Sequence, residues 1–214
     1  MKHILKWIVL PFFLLCSCYS KAEAVDLSKL YEVHRDFDYS DLVIEVQGFK
    51  VPTLAAFRGW VLMNKKQADI QEGYQYFLDR GVKEGIPLHL VLLQGTDWRL
   101  SNTTVFNLPD KKNWDNMVRT LLFIQQHVMP KTGLLIPVSG DRSKEYNQHA
   151  GGAPRSSHLD FCALDLVPTR NISRSELHSI LNSIYNSVGQ KNNMGLGLYS
   201  GVRFHIDTCG YRSW

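Results

Sequence analysis

The sequence predicts an α+β fold in which a small antiparallel sheet carries a metal site and packs on helices, with a helical annex on its N-terminal side. Three observations predict it. Two short apolar segments, Ser157 to Asp165 and Phe204 to Asp207, read as neighbouring strands and carry His158, Asp165 and His205. From Trp114 to His127, the residues Trp114, Met117, Val118, Leu121 and Leu122 recur at spacings of three and four, the period of a helix with one buried face. Ser173 to Val188 is a second amphipathic helix, opened by Ser173 with Glu176 three residues on, a capping box.

The chain of 214 residues suits one compact domain with a small annex, and its 44% apolar content is enough for a packed core. Lys and Arg number 24 against 20 Asp and Glu, so the charge is balanced and argues for no nucleic-acid partner. The N-terminus is the first informative stretch. Met1 to Lys6 is a short basic lead, and Trp7 to Leu15 is an apolar run broken by Pro11. That run is too short to span a bilayer and fits the apolar region of a secretory signal, which predicts an exported chain. Two cleavage points fit. Leu15-Cys16-Ser17-Cys18 resembles a bacterial lipobox, which would leave a lipidated Cys18 as a membrane anchor, and Ala22-Glu23-Ala24 satisfies the small-x-small rule.

Taken in order, Val25 to Ser40 reads as a tether or loosely packed arm, and Leu42 to Val46 as a short strand ending at Gly48. Leu54, Phe57, Trp60 and Val61 mark a helix, and Asp69 to Arg80 a second one stopped by Gly81. Pro87 to Leu93 is apolar throughout, so periodicity leaves strand and buried helix equally open. The Trp114 helix ends near His127, a cation favoured by the helix dipole, and Pro130 closes it. Gly133 to Val138 is a strand by β-propensity and delivers the turn Ser139-Gly140-Asp141-Arg142-Ser143, which makes Arg142 the candidate functional side chain. Glu145 to Pro154 reads as turn-rich. Gly195, Gly197 and Gly201 lead into the second metal segment.

Imidazole and carboxylate on adjacent strands form a three-ligand site for a divalent cation with one position left open. His158 and Asp165 are seven residues apart, and His205-x-Asp207 follows forty residues on. The remaining cysteines, Cys162 and Cys209, lie beside these ligands in a compartment that permits disulfides. Strand parity argues against a bond between them: Cys209 shares the face of Asp165 and His205 while Cys162 points to the other, unless a bulge undoes the parity.

Several segments occur in a fixed order: Ser139-Gly140-x-Arg142-Ser143, Tyr146-Asn147, Gly151-Gly152-Ala153, Ser157-His158 to Ala163-x-Asp165, and Gly195-x-Gly197-x-Tyr199 to Phe204-His205-x-Asp207. Together they resemble the zinc D-alanyl-D-alanine carboxypeptidase and murein endopeptidase family, which shares its fold with the vancomycin-resistance dipeptidases and the hedgehog signalling domain. The resemblance covers Trp114 to Trp214, and the ending looks like a bacterial carboxypeptidase-like subgroup. It implies a hedgehog/DD-peptidase-like fold, a Zn2+ ion on His158, Asp165 and His205, and Arg142 holding the substrate carbonyl or oxyanion. It further implies hydrolysis of D-alanyl bonds in peptidoglycan peptide stems during cell-wall remodelling, in the periplasm or cell envelope. On this basis the chain divides into an export signal (1–24), an annex (25–110) and a catalytic domain (111–214).

The chain departs from the family at three positions. Phe161 stands where many members have glycine, Val202 where one branch has an acid, and Arg203 where another has histidine. The general base is therefore unassigned. Asp207 is the first residue to test for that role, and it is equally suited to orienting His205 from behind. The missing acid also supports a rival reading, a murein-binding lipoprotein whose zinc is not catalytic. A cell-surface protease acting on proteins is a third.

Overall fold

The computed structural model describes residues 42–83, 85–97 and 103–214. The export signal with Cys16 and Cys18, and the arm up to Ser40, lie outside these. The first described element is a hairpin, β1 (Val43–Val46) against β2 (Phe49–Pro52). Its two-residue turn places both Gln47 and Gly48 at positive φ, 52° and 80°, the turn whose twist matches paired strands. The second strand was not legible because Pro52 sits at its end, where a proline costs no ladder bond.

Two helices follow. In α1 (Leu54–Met63) the cap is Thr53, whose hydroxyl accepts from the Ala56 N–H, and Phe57 and Val61 are buried. The second, α2 (Gln67–Asp79), buries Ile70 and Phe77 and ends where the Val82 N–H returns to the Phe77 carbonyl. The ambiguous stretch after Pro87 becomes one short buried helical turn, α3 (Leu88–Val91), and Leu93 then bridges to Phe106.

The amphipathic helix α4 (Trp114–Phe123) buries Trp114, Met117, Val118, Thr120, Leu121 and Phe123. It does not stop before Pro130. A wide π turn over Ile124–Val128 carries it into α5 (Met129–Thr132), with Pro130 in the opening turn of that last segment. Proline is tolerated there because the first turn of a helical segment lacks intrahelical donors' partners in any case. The His127 ring lies against Phe123, ring centroids 5.1 Å apart and planes tilted by 50°.

The main sheet has five strands in the order β3-β4-β6-β5-β7: β3 (Leu135–Ser139), β4 (Ala163–Pro168), β6 (Phe204–Asp207), β5 (Gly195–Leu198) and β7 (Arg212–Ser213). All neighbours are antiparallel except β5 and β7. Every residue of β4 and β6 is buried, so these two strands form the centre of the core. Between β3 and β4, the stretch expected to be turn-rich contains a helix, α6 (Lys144–His149), capped by the Ser143 hydroxyl. After β4, α7 (Arg174–Ile184) starts at the expected cap, with the Ser173 hydroxyl accepting from the Glu176 N–H. The chain is thus a mixed α+β structure.

Cys162 and Cys209 form a disulfide, with Cα atoms 6.3 Å apart, against the parity argument. The reason is where the strands end. Ala163 pairs with Asp207 as the last rung of β4 on β6, so Cys162 and Cys209 both lie beyond the ladder, and alternation no longer fixes where they point. The bond closes a sequence separation of 47 residues. By the loop-entropy relation such a closure stabilises by about 4 kcal/mol at most. Cys209→Ser should lower unfolding stability by about 2–4 kcal/mol in a urea melt; an unchanged midpoint would show that the cross-link contributes nothing.

Phe161 has φ +49°, in the left-handed region, and its side chain is fully buried against Phe77, ring centroids 6.2 Å apart. A left-handed backbone favours glycine, and here packing overrides that preference. Glycine at 161 would relieve about 1–2 kcal/mol of left-handed strain. It would also remove a buried aromatic, which costs about 3–5 kcal/mol. Packing wins, so Phe161→Gly should destabilise the chain by about 1–4 kcal/mol, read from the same melts.

Candidate metal centre

The β4–β6 ladder places Asp165 directly opposite His205. Both side chains are buried. His158 is not on a strand. It sits in the turn before β4, closed by the Cys162 N–H on the Ser157 carbonyl, and the left-handed Phe161 keeps the strand from starting earlier. The turn is stitched to the loop after β3, since the Arg142 N–H donates to the His158 carbonyl.

Three ligand atoms converge. His158 Nε2 lies 3.4 Å from Asp165 Oδ1 and 3.3 Å from His205 Nδ1, and His205 Nδ1 lies 3.1 Å from Asp165 Oδ1. Ligands about 2.0–2.1 Å from a tetrahedral zinc are separated by about 3.3–3.4 Å, so the triangle already has the edge lengths of such a site. His158, Asp165 and His205 can hold a metal ion.

The groups behind the ligands fix which atoms face inward. His158 Nδ1 donates to the Gly140 carbonyl at 2.7 Å, which leaves Nε2 as the free lone pair. His205 uses the opposite nitrogen: its Nε2 donates to Asp207 Oδ2 at 2.8 Å, leaving Nδ1 for the site. Burial, aided by the Arg142 guanidinium, pushes the His158 pKa down to about 4, so its ring is neutral. Burial would raise the Asp165 pKa, but the interactions with His158 and the hydrogen bond from His205 hold it well below the usual range, so it is ionised. Burial also opposes charge on His205, yet hydrogen bonds to Asp165 and Asp207 outweigh it and raise the pKa. Without metal, His205 therefore carries the proton of the cluster between two carboxylates.

Asp207 is fully buried and completely engaged. Its Oδ2 accepts from His205 and from Arg212 Nη2 at 2.7 Å, and its Oδ1 from the Cys209 N–H and Arg212 Nη1. The strand β5 must pass close behind it. At Gly195 a Cβ would lie 2.2 Å from Asp207 Oδ2, so only glycine leaves room for the carboxylate. Arg142 is pinned as well: Nε donates to Ser139 Oγ at 2.8 Å and to the Gln94 carbonyl at 3.3 Å, and Nη2 to Asp165 Oδ2 at 3.0 Å.

A cleft of about 370 Å³, large enough for a peptide segment, opens beside this cluster and reaches it at Asp165; His158 and His205 lie behind its lining. Arg142, Asp165, Tyr146, Tyr199 and Arg203 line it, together with Gly95, Thr96 and Asp97 from the N-terminal half. Asp97 is the one carboxylate of the lining besides Asp165, and the Tyr146 hydroxyl donates to it. Asp207 is not part of the lining. A smaller apolar cavity between Ile70, Phe77, Trp114 and Phe161 holds about 30 Å³ and has no ligand chemistry.

The structure therefore brings together His158, Asp165, His205 and Arg142, and sets Asp207 behind His205. Sequence reading did not find Arg212, Ser139 or Gln94 as partners. Arg212 lies five residues beyond Asp207 in a two-residue strand too short to register as a pattern. Gln94 follows an apolar run with no motif around it.

Compared with known families, residues 98–206 match the model described as Peptidase M15, a span of half the chain that includes all three ligand candidates. Comparison with curated proteins and with solved structures found no match.

Proposed function

Because the chain belongs to the peptidase M15 family, the zinc D-Ala-D-Ala carboxypeptidase family of metallopeptidases, we propose that it is a zinc-dependent peptidoglycan peptidase hydrolysing D-alanyl bonds of peptide stems. The observation that carries this reading is the triangle of Nε2, Oδ1 and Nδ1 atoms with the edge lengths of a tetrahedral zinc site. Zinc held there supplies a Lewis acid that acidifies a water and polarises the scissile carbonyl. The protein supplies the rest. His158 and Asp165 enter as neutral ring and carboxylate, so the donor set needs only the His205 proton removed. Arg142, fixed by Ser139 and Gln94, presents its guanidinium to the cleft where a carbonyl oxygen gains charge. Asp207 acts as a positioning residue: it holds the His205 ring in the tautomer with Nδ1 free. With Asp207 enclosed, Asp97 at the cleft wall becomes the carboxylate to test as proton acceptor.

The proposal extends to the whole chain. Residues 1–24 act as an export signal, with Cys18 as lipid anchor if the lipobox is cut, and 25–110 support a hedgehog/DD-peptidase-like catalytic domain over 111–214. The Cys162–Cys209 disulfide supports a periplasmic or cell-envelope location, since such bonds persist in oxidising compartments. The rival reading, a murein binder without turnover, is favoured by Val202 in place of an acid and by the enclosure of Asp207.

Incubation with cross-linked muropeptides, with and without chelator, tests the reading. Release of D-alanine identifies a carboxypeptidase and cleaved cross-links an endopeptidase; either should vanish with chelator and in His158→Ala. Full activity in His158→Ala would sink the proposal, and retention on murein without new products would establish the binder.

A further inference from the structure

Three arginines surround the candidate site, and two of them are neutralised. Arg142 pairs with Asp165 and Arg212 with Asp207. The third, Arg203, lines the same cleft as Arg142, yet among the described residues it makes no ion pair with a carboxylate. It is nevertheless held in place. Its guanidinium carbon lies 4.1 Å from the centroid of the Tyr199 ring, with the Phe49 ring of β2 at 5.8 Å. Tyr199 is itself tied to the metal cluster, its hydroxyl 3.4 Å from Asp165 Oδ1. Stacking engages the flat faces of a guanidinium and leaves its in-plane N–H fork available, the edge that matches a carboxylate with two parallel hydrogen bonds. A fixed, half-buried fork also loses little freedom on binding.

We propose that Arg203, held by Tyr199 and Phe49, is the anchor for a free carboxylate of the peptide substrate. The proposal rests on the peptidase reading above and adds the chemical group that the cleft recognises. Two sources present that group: the terminal α-carboxylate of the stem, which would make the chain act at free ends, and a side-chain carboxylate within the stem, which would leave cross-linked stems as substrates. Arg142 is already bound to Asp165, so it is the less available cation for this task.

The test uses the full exported chain loaded with zinc and three synthetic pentapeptide stems ending in D-alanyl-D-alanine. One is the free acid, one is its C-terminal amide, and one has its acidic side chains amidated. The wild-type protein should show a KM about tenfold higher for the stem that lacks the recognised carboxylate, the loss expected for one charge-assisted pair. Which stem suffers identifies the source. In Arg203→Gln the three KM values should become equal, and Arg203→Lys, which keeps charge without the stacked fork, should restore part of the difference. A wild-type protein that treats all three alike overturns the proposal, as does Arg203→Gln that still discriminates while melting at the wild-type temperature. If no stem is cleaved, the peptidase reading fails. Calorimetric titration of the same stems then decides the anchor by itself: a preference lost in Arg203→Gln upholds it, and a preference retained, or no binding at all, overturns it.

Discussion

Asp165→Ala should remove the metal and several kcal/mol of stability in one step. The carboxylate is the anionic member of the triangle, accepting from His205 Nδ1 and lying within 3.4 Å of His158 Nε2. It is also the counter-ion of Arg142, whose side chain is 14% exposed against 3% for Asp165. Breaking a buried pair by deleting one partner leaves an uncompensated charge and costs about 3–5 kcal/mol. Arg142 would keep Ser139 and the Gln94 carbonyl, which places the expected loss at the lower end, about 3 kcal/mol. Calorimetric zinc titration should show no binding, and urea melts in chelator should show the metal-independent loss. The second measurement separates the two roles. If Asp165→Ala lost zinc but melted like wild type in chelator, the Arg142 pair would be structurally neutral.

Zinc affinity should fall steeply as pH drops, and His205 sets where. Its hydrogen bonds to Asp165 and Asp207 raise its pKa above 6.5 despite burial. A metal ligand must be deprotonated, so below that raised pKa each bound zinc displaces one proton from His205. Affinity should therefore drop by about tenfold per pH unit below it and level off above. His158, with a pKa of about 4, adds a second proton only in stronger acid. Protonated His205 stabilises the metal-free fold below its unfolded pKa, and that contribution is lost as pH rises through the raised value. Metal-free and zinc-loaded protein should thus diverge in stability as pH rises from about 6.5 towards the raised value. The indole of Trp214, whose ring centroid is 5.0 Å from that of His205, offers a fluorescence reporter for the titration. Asp207→Asn removes the charge of one of the two acceptors, so it should weaken zinc by about 10–100-fold while shifting the pH midpoint downward. A pH-independent affinity between 5 and 8 would show that His205 enters the site already neutral.

Much of this site was legible in the sequence because its chemistry is written on regular elements. The period of a strand places Asp165, and His205 with Asp207, on one face, and the period of a helix places Met117, Val118 and Leu121 in the core. The Ser173 cap opened the helix where expected, while the Glu176 carboxylate turned to Arg170 instead of closing the box. Errors gathered where periodicity ends. Cys162 and Cys209 lie beyond the last rung of the ladder, His158 sits in a turn rather than on a strand, and Pro130 is absorbed by a π turn.

The sequence by itself singled out the three residues that converge, the amphipathic helices and the arginine of the β3 turn, since each follows from residue type at a local spacing. Tertiary structure alone decided the rest. It assigned Asp207 to Arg212 and His205 behind the site, and it brought the Gln94 carbonyl across 48 residues to hold Arg142. It also left Arg203 stacked with its N–H edge without an acid. Whether a polar group is free or engaged depends on what long-range packing places beside it. Local spacing carries no record of that.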